Sequence, residues 1–231
     1  VLLLFDIDGT LLLKASAEHR LALLDAIVEV WHVPDPAAVE VEAAGRTDLE
    51  IVREILLLSG INRDVEERFD DFRAAAVAAY ARRCPPDLRG HVAPGVPAML
   101  DAVAAAGHTS TLVTGNLEPI ARIKLRAAGV GDRFPPGQGG YGSDHLDRNV
   151  LPGIARRRAA RVAGLDDDWP RADTVVIGDT PRDIACAHAD GVACVAVATG
   201  PYGADALTAA DVVVTRAAEI PAALAALPAR D

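Results

Sequence analysis

Val1–Phe5 is a continuous apolar run that stops abruptly at Asp6. A run this short, bounded by Asp and Gly, reads as a strand buried on both faces of a parallel sheet. Thr109–Thr114, Thr174–Gly178, Ala193–Thr199 and Asp211–Thr215 repeat the pattern. Between them, helical spacing predicts helices over Val96–Ala106, Glu118–Ala128, Asn149–Ala163 and Pro181–Ala189. Strands alternating with helices predict an α/β architecture around a parallel sheet.

The chain from about Lys14 to Gly90 has a different rhythm. Leu21, Leu24, Ile27, Val28 and Trp31 make one helical stripe. Leu49, Val52, Ile55 and Leu56 make a second, and Val65, Phe69, Phe72 and Ala76 a third. Thr47 with Glu50, and Asp64 with Glu67, have the spacing of capping boxes. No strand-like run interrupts them. We therefore expect an all-helical insertion over residues 14–90, within a core made of residues 1–13 and 91–231. Gly90–Gly95 reads as the return connection, and the Gly/Pro-rich Phe134–Ser143 as a loop with room for a short strand near Tyr141.

Composition narrows the function classes. Of 231 residues, 51% are hydrophobic and 24% charged, which fits a globular protein. The formal net charge is −10, which disfavours nucleic acid and anionic membrane surfaces as partners. Divalent cations are natural counter-charges for clustered carboxylates. Cys84, Cys186 and Cys194 form no CxxC pair, and the N-terminal apolar run is too short for a signal peptide. These features predict a cytoplasmic location.

Three motifs carry chemistry. Asp6-Ile-Asp8-Gly9-Thr10 follows the first strand, where ligands of open α/β sheets bind. Two carboxylates at i and i+2 can share one cation or divide into nucleophile and acid/base; the same residues also suit a solvated turn. Gly178-Asp179-Thr180-Pro181-Arg182-Asp183 ends another strand. There Thr180, Pro181 and Asp183 make a good helix start, which leaves Asp179 free to bind a metal. Thr114-Gly115-Asn116 offers a hydroxyl, a close-approach glycine and helix N–H groups, the makings of a phosphate cradle; Asn116 alternatively caps the next helix. The six histidines show no ligand spacing and read as surface or packing residues, and Trp31 and Trp169 read as packing anchors.

Together these motifs resemble the haloacid dehalogenase-like hydrolase superfamily. DIDGT is similar to its first motif, the Thr of LVTGN to its second and GDTPRD to its fourth, in the family's order. The resemblance spans the chain and implies a Rossmann-like core with helices on both faces. The insertion resembles the helical cap of the subgroup holding phosphoglycolate phosphatases, β-phosphoglucomutases and 2-haloacid dehalogenases. The third motif is a Lys or Arg; Arg148 in DRNVLPG fits its place, with Lys124 and Arg156–Arg158 as competitors that read more simply as solvated helix charges.

The resemblance implies that Asp6 is a nucleophile forming an aspartyl-phosphate and that Asp8 is the acid/base. Mg²⁺ would be held by Asp6, Asp8 and Asp179, with Asp183 acting from behind. Thr114, Gly115, Asn116 and Arg148 would bind phosphate, and Arg46 and Thr47 the rest of the substrate, beneath a cap hinged near Leu12–Ser16 and Arg89–Pro94. Asp8 favours phosphoryl transfer over dehalogenation, because a halide leaving group needs no proton. The expected activity is a Mg²⁺-dependent phosphatase acting on phosphoglycolate or a sugar phosphate. The alternatives are a phosphomutase of the β-phosphoglucomutase type, a 2-haloacid dehalogenase, and a non-catalytic metabolite sensor. The expected partner is a small phosphorylated metabolite, and the expected state a monomer or homodimer.

Overall fold

The computed structural model describes residues 1–228. A six-stranded parallel sheet organises the core. Its strands are β1 (Leu2–Phe5), β2 (Thr109–Thr114), β3 (Gly140–Tyr141), β4 (Thr174–Gly178), β5 (Ala193–Val197) and β6 (Val212–Val214), in the order β3-β2-β1-β4-β5-β6. The architecture is the Rossmann-like α/β sheet. The short strand expected near Tyr141 is β3, and the last two strands are shorter than their apolar runs suggest.

The strand β1 lies at the centre and is buried along its whole length. Side chains alternate across it. Leu3 and Phe5 join a cluster that includes Met99, Leu125, Ile177 and Val195, while Leu2 and Leu4 join Val113, Leu151, Val176 and Ile184 on the opposite face. The helices α4 (Val96–Ala105) and α5 (Glu118–Ala127) contribute to the first cluster; α6 (Leu151–Ala163) and α7 (Pro181–Asp190) contribute to the second. The helix α6 begins two residues later than expected, because Arg148–Val150 is a 3₁₀ turn held by Asp147.

Register aligns the chemistry. Phe5 pairs with Leu112 on one side and with Ile177 on the other. Asp6, Thr114 and Asp179 therefore emerge at the same carboxyl edge. The chain departs from β1 in both directions there, which is the switch point at which such sheets bind ligands.

Residues 14–90 contain α1 (Ala17–Trp31), α2 (Asp48–Leu58) and α3 (Phe69–Arg83), and no strand among the described residues. They build a hydrophobic cluster of their own, which Leu117 and Ile120 of the core join from below. Its two covalent connections run side by side: Leu13 N–H donates to His91 O at 2.7 Å and Ala93 N–H to Leu11 O at 2.9 Å.

Two details depart from the sequence pattern. Leu24 and Ile27 are buried as the pattern expects, but Leu21 and Val28 are exposed, and Ala22, Leu23, Ala26 and Val30 face inward instead. The small Ala22 and Ala26 let α1 approach Ala75, Ala76 and Ala79 of α3, so the buried stripe is offset from the one that large side chains mark. The Asp64–Glu67 capping box does not form. Asp64 has φ +54° and precedes a 3₁₀ turn at Glu66–Arg68, and α3 begins only at Phe69. The Thr47 cap does form, accepting from Glu50 N–H. Trp31 packs on Phe72 with ring centroids 5.9 Å apart.

Candidate active site

Three carboxylates converge at the carboxyl edge of the sheet. Asp6, Asp179 and Asp183 each place an oxygen within 4.8 Å of the others, and all three are buried. Asp6 is fixed by its own backbone N–H, which donates to Ile177 O at 2.9 Å. Asp183 is fixed by the start of α7, where its carboxylate accepts from Thr180 N–H at 3.0 Å and from the Thr180 hydroxyl at 2.7 Å. The helix cap and the carboxylate cluster are thus one structure. Thr10 donates to Asp179 Oδ1 at 2.9 Å.

Glycine makes the room. Gly9 has φ +94°, and a Cβ there would lie 2.1 Å from Asp179 Oδ2. No other residue type fits both the conformation and the approach.

Burial and mutual repulsion raise Asp6 and Asp179. Burial, offset in part by Arg148 and reinforced by Asp183 and Asp8, lifts Asp6 to about 6. Burial with the charges of Asp6 and Asp183 lifts Asp179 to about 8. Asp179 Oδ2 is buried and has no hydrogen-bond partner. A crowded oxygen donor set with an orphaned buried carboxylate oxygen suits a hard divalent cation, which supplies the missing positive charge and the missing partner.

Arg148 bridges the other two carboxylates of the cluster. Its Nη2 lies 3.0 Å from Asp6 Oδ1 and 2.5 Å from Asp183 Oδ1, and the residue is buried. Burial alone would lower its pKa, but Asp183 and Asp6 outweigh it and raise the guanidinium well above its ordinary value.

Lys124 is the departure. It was expected to be a solvated helix charge, yet it is fully buried, and its Nζ donates to both oxygens of Asp8. It also donates to Asn116 Oδ1 at 3.0 Å and contacts His19 Nδ1 at 3.2 Å. With Nδ1 accepting, His19 Nε2 carries the proton and donates to Asp48 Oδ2 at 3.0 Å. Asp48 also accepts from Leu117 N–H at 2.7 Å. A polar chain therefore runs from Asp8 to the N-terminus of α2. Burial pushes Asp8 up, but Lys124 and His19 outweigh it, so its carboxyl is lowered overall.

His19 and Asp48 escape the sequence reading, and Lys124 enters it only as a competitor of Arg148 that reads more simply as a solvated charge. The signal was there for two of them. Lys124 shares the apolar face of α5 with Ile120, Ala121 and Leu125, and His19 that of α1 with Ala22, Leu23 and Ala26. Arg156 is a second correction: it is buried against Asp190 and the carbonyl of Trp169, behind the sheet.

The remaining candidates divide. Thr114 and Asn116 are buried beside Asp8, and Asn116 Nδ2 donates to Asp8 Oδ2 at 3.0 Å rather than capping α5, whose N-cap is Leu117. Gly115 sits under the inserted segment; its carbonyl accepts from Asp48 N–H at 2.8 Å. Arg46 lines the cavity in front of Asp6 but is engaged by Glu50 and Glu54. Thr47, expected to touch substrate, is fully buried and does not line that cavity. Its hydroxyl donates to Leu146 O at 2.7 Å and accepts from Glu50 N–H, so the helix start consumes it.

Comparison with known proteins identifies the family and the fold. A family model described as haloacid dehalogenase-like hydrolase matches residues 3–188, and one described as HAD-hydrolase-like matches residues 152–226. A phosphoglycolate phosphatase from Rhodospirillum rubrum is 29% identical over 204 residues, covering 85% of this chain and 79% of that protein. The structure of a predicted phosphatase from Clostridium acetobutylicum superposes with a TM-score of 0.65 at 16% identity, covering 98% of each chain. A predicted phosphoglycolate phosphatase from Haemophilus somnus gives 0.60 at 20% identity, covering 96% of this chain and 97% of that one. No helix among the described residues is long and apolar enough to cross a membrane.

Proposed function

This chain belongs to the haloacid dehalogenase-like hydrolase family and is a phosphatase, and we propose that it hydrolyses a small phosphomonoester through an aspartyl-phosphate on Asp6. The observation that carries the reading is the convergence of Asp6, Asp179 and Asp183, with Arg148 bound to two of them. A carboxylate nucleophile approaches an anionic phosphoryl group only where positive charge surrounds both. Asp6, Asp179 and Asp183, with the carbonyl of Asp8, are the groups that would hold Mg²⁺. When bound, the ion neutralises charge on the phosphoryl oxygens and on the carboxylates.

In the first step an oxygen of Asp6 attacks phosphorus, the bond to the leaving alcohol breaks, and Asp8 gives that oxygen a proton. In the second, water attacks the aspartyl-phosphate, Asp8 takes its proton, and the bond between phosphorus and Asp6 breaks. Arg148, Thr114 and the N–H groups after β2 would hold the non-bridging oxygens. Lys124 and Asn116 fix the Asp8 carboxylate as positioning residues. The helical segment over residues 14–90 would serve as a cap that closes on the site and expels water, moving about the paired connections at Leu11–Leu13 and His91–Ala93.

The test is phosphate release from a panel of phosphomonoesters, including phosphoglycolate and sugar phosphates, with and without Mg²⁺. Release that needs the ion and disappears in Asp6→Asn supports the reading. Release that persists in Asp6→Asn excludes Asp6 as nucleophile.

A further inference from the structure

The cavity in front of Asp6 has a volume of about 510 Å³, far more than a phosphoryl group fills. Its floor is the site itself. The wall facing that floor comes from the inserted segment: Leu23 and Leu24 of α1, Val39 and Val41 of the connecting loop, and Ile51 and Ile55 of α2. Three of the polar groups among these walls are already engaged. Asp48 accepts from His19 and from Leu117 N–H, His19 lies between Asp48 and Lys124, and Arg46 faces Glu50 and Glu54. Arg46 keeps one buried N–H, Nε, without a hydrogen-bond partner. Lys14, Ser16 and Arg20 also line the cavity but are exposed to solvent.

A polyhydroxylated leaving group placed against the six aliphatic side chains would lose its water there and find no partner among them. Each unsatisfied hydroxyl opposes binding. An apolar group placed here is favoured, because it buries hydrocarbon against six aliphatic side chains. We infer that the substrate is a phosphomonoester of a largely apolar alcohol, an alkyl or arylalkyl chain carrying at most one polar group for Arg46. The inference rests on the phosphatase reading for its chemistry, but the cavity wall carries it independently.

The test uses ethyl-, butyl- and hexylphosphonate, which bind without turning over. Their affinities are measured by calorimetry in the presence of Mg²⁺. Each added methylene is expected to tighten binding roughly two- to fourfold, so hexylphosphonate binds at least about tenfold more tightly than ethylphosphonate. Val41→Asn and Ile51→Asn, checked for native circular dichroism, should flatten that slope. In parallel, kcat/KM is measured for the matching alkyl phosphates, phosphoglycolate and a hexose 6-phosphate. Rising affinity together with rising kcat/KM along the alkyl series sustains the inference. Affinity that is flat or falls with chain length overturns it, as does a hexose phosphate or phosphoglycolate outperforming hexyl phosphate, while either result leaves the phosphatase reading intact. If no ester is hydrolysed, the phosphatase reading fails, and the phosphonate slope still decides what the cavity accepts.

Discussion

Lys124 Nζ lies 2.8 and 2.6 Å from the two carboxylate oxygens of Asp8, across 116 positions of chain. Asp8 is 26% exposed at its side chain and Lys124 is not exposed at all. The ion pair is therefore poorly screened. Removing the cation leaves Asp8, Asn116 and His19 without their common partner. Lys124→Met should cost about 3 kcal/mol in a denaturant melt. It should also move the acidic limb of the kcat profile to higher pH. Lys124 holds the Asp8 carboxyl down, and Asp8 must be ionised to take the proton from water, so the limb is read with a substrate for which hydrolysis of the aspartyl-phosphate limits kcat. An unchanged limb would assign Lys124 to stability alone.

Arg148 gives a second prediction. It bridges Asp6 and Asp183, and its loss leaves three buried carboxylates facing one another. Arg148→Ala should destabilise the metal-free protein by about 3 to 5 kcal/mol. Millimolar Mg²⁺ should restore more stability to this variant than to wild type, because the ion replaces the lost charge. Equal Mg²⁺ stabilisation of both proteins in a thermal melt would count against the carboxylate cluster as the ion's site.

The raised carboxyls give a third. Asp179 stands at about 8 and Asp6 at about 6 in the folded protein. Both groups bind more protons folded than unfolded, where carboxyls lie near 4. Stability of the metal-free protein should fall as pH rises from about 4 through 8. Asp179→Asn removes most of this dependence, and in EDTA at pH 8 it should melt above wild type by roughly 5 °C. In Mg²⁺ the order should reverse, since wild type alone keeps the ligand. Matching pH profiles of wild type and Asp179→Asn in EDTA would contradict the assignment.

Gly115 gives a fourth, purely steric one. A Cβ there would lie 1.9 Å from the carbonyl oxygen of Arg46. Gly115→Ala forces the loop before α2 away from β2 and strains the bond from Asp48 N–H to Gly115 O. It should cost about 1 to 3 kcal/mol. It should lower activity beyond what the stability loss explains, because Asp48 anchors the chain to Lys124. Wild-type kcat/KM in a folded Gly115→Ala protein would show that the segment's seating does not matter to the chemistry.

The sequence by itself determined the sheet, the helical content of residues 14–90 and which residues stand at the sheet's carboxyl edge. Apolar runs such as Leu2–Phe5 and Thr174–Gly178 are buried on both faces, so their identity as strands is written in consecutive residues. Asp6 and Asp179 follow such strands directly and Thr114 ends one, and parallel register brings them to one edge without further information. Small residues were harder to interpret. Ala22 and Ala26 set the buried face of α1 because α3 presents alanines opposite, a fact that lies 50 residues away. What only the tertiary structure decided is which polar side chains are used up and by whom. Lys124, His19 and Asp48 sit on three different helices and acquire meaning only as partners of Asp8. Thr47 proves to be spent on a helix start and Arg46 on two glutamates. Local pattern reports whether a residue can be buried; the pairing of buried charges depends on long-range packing, which no window of sequence contains.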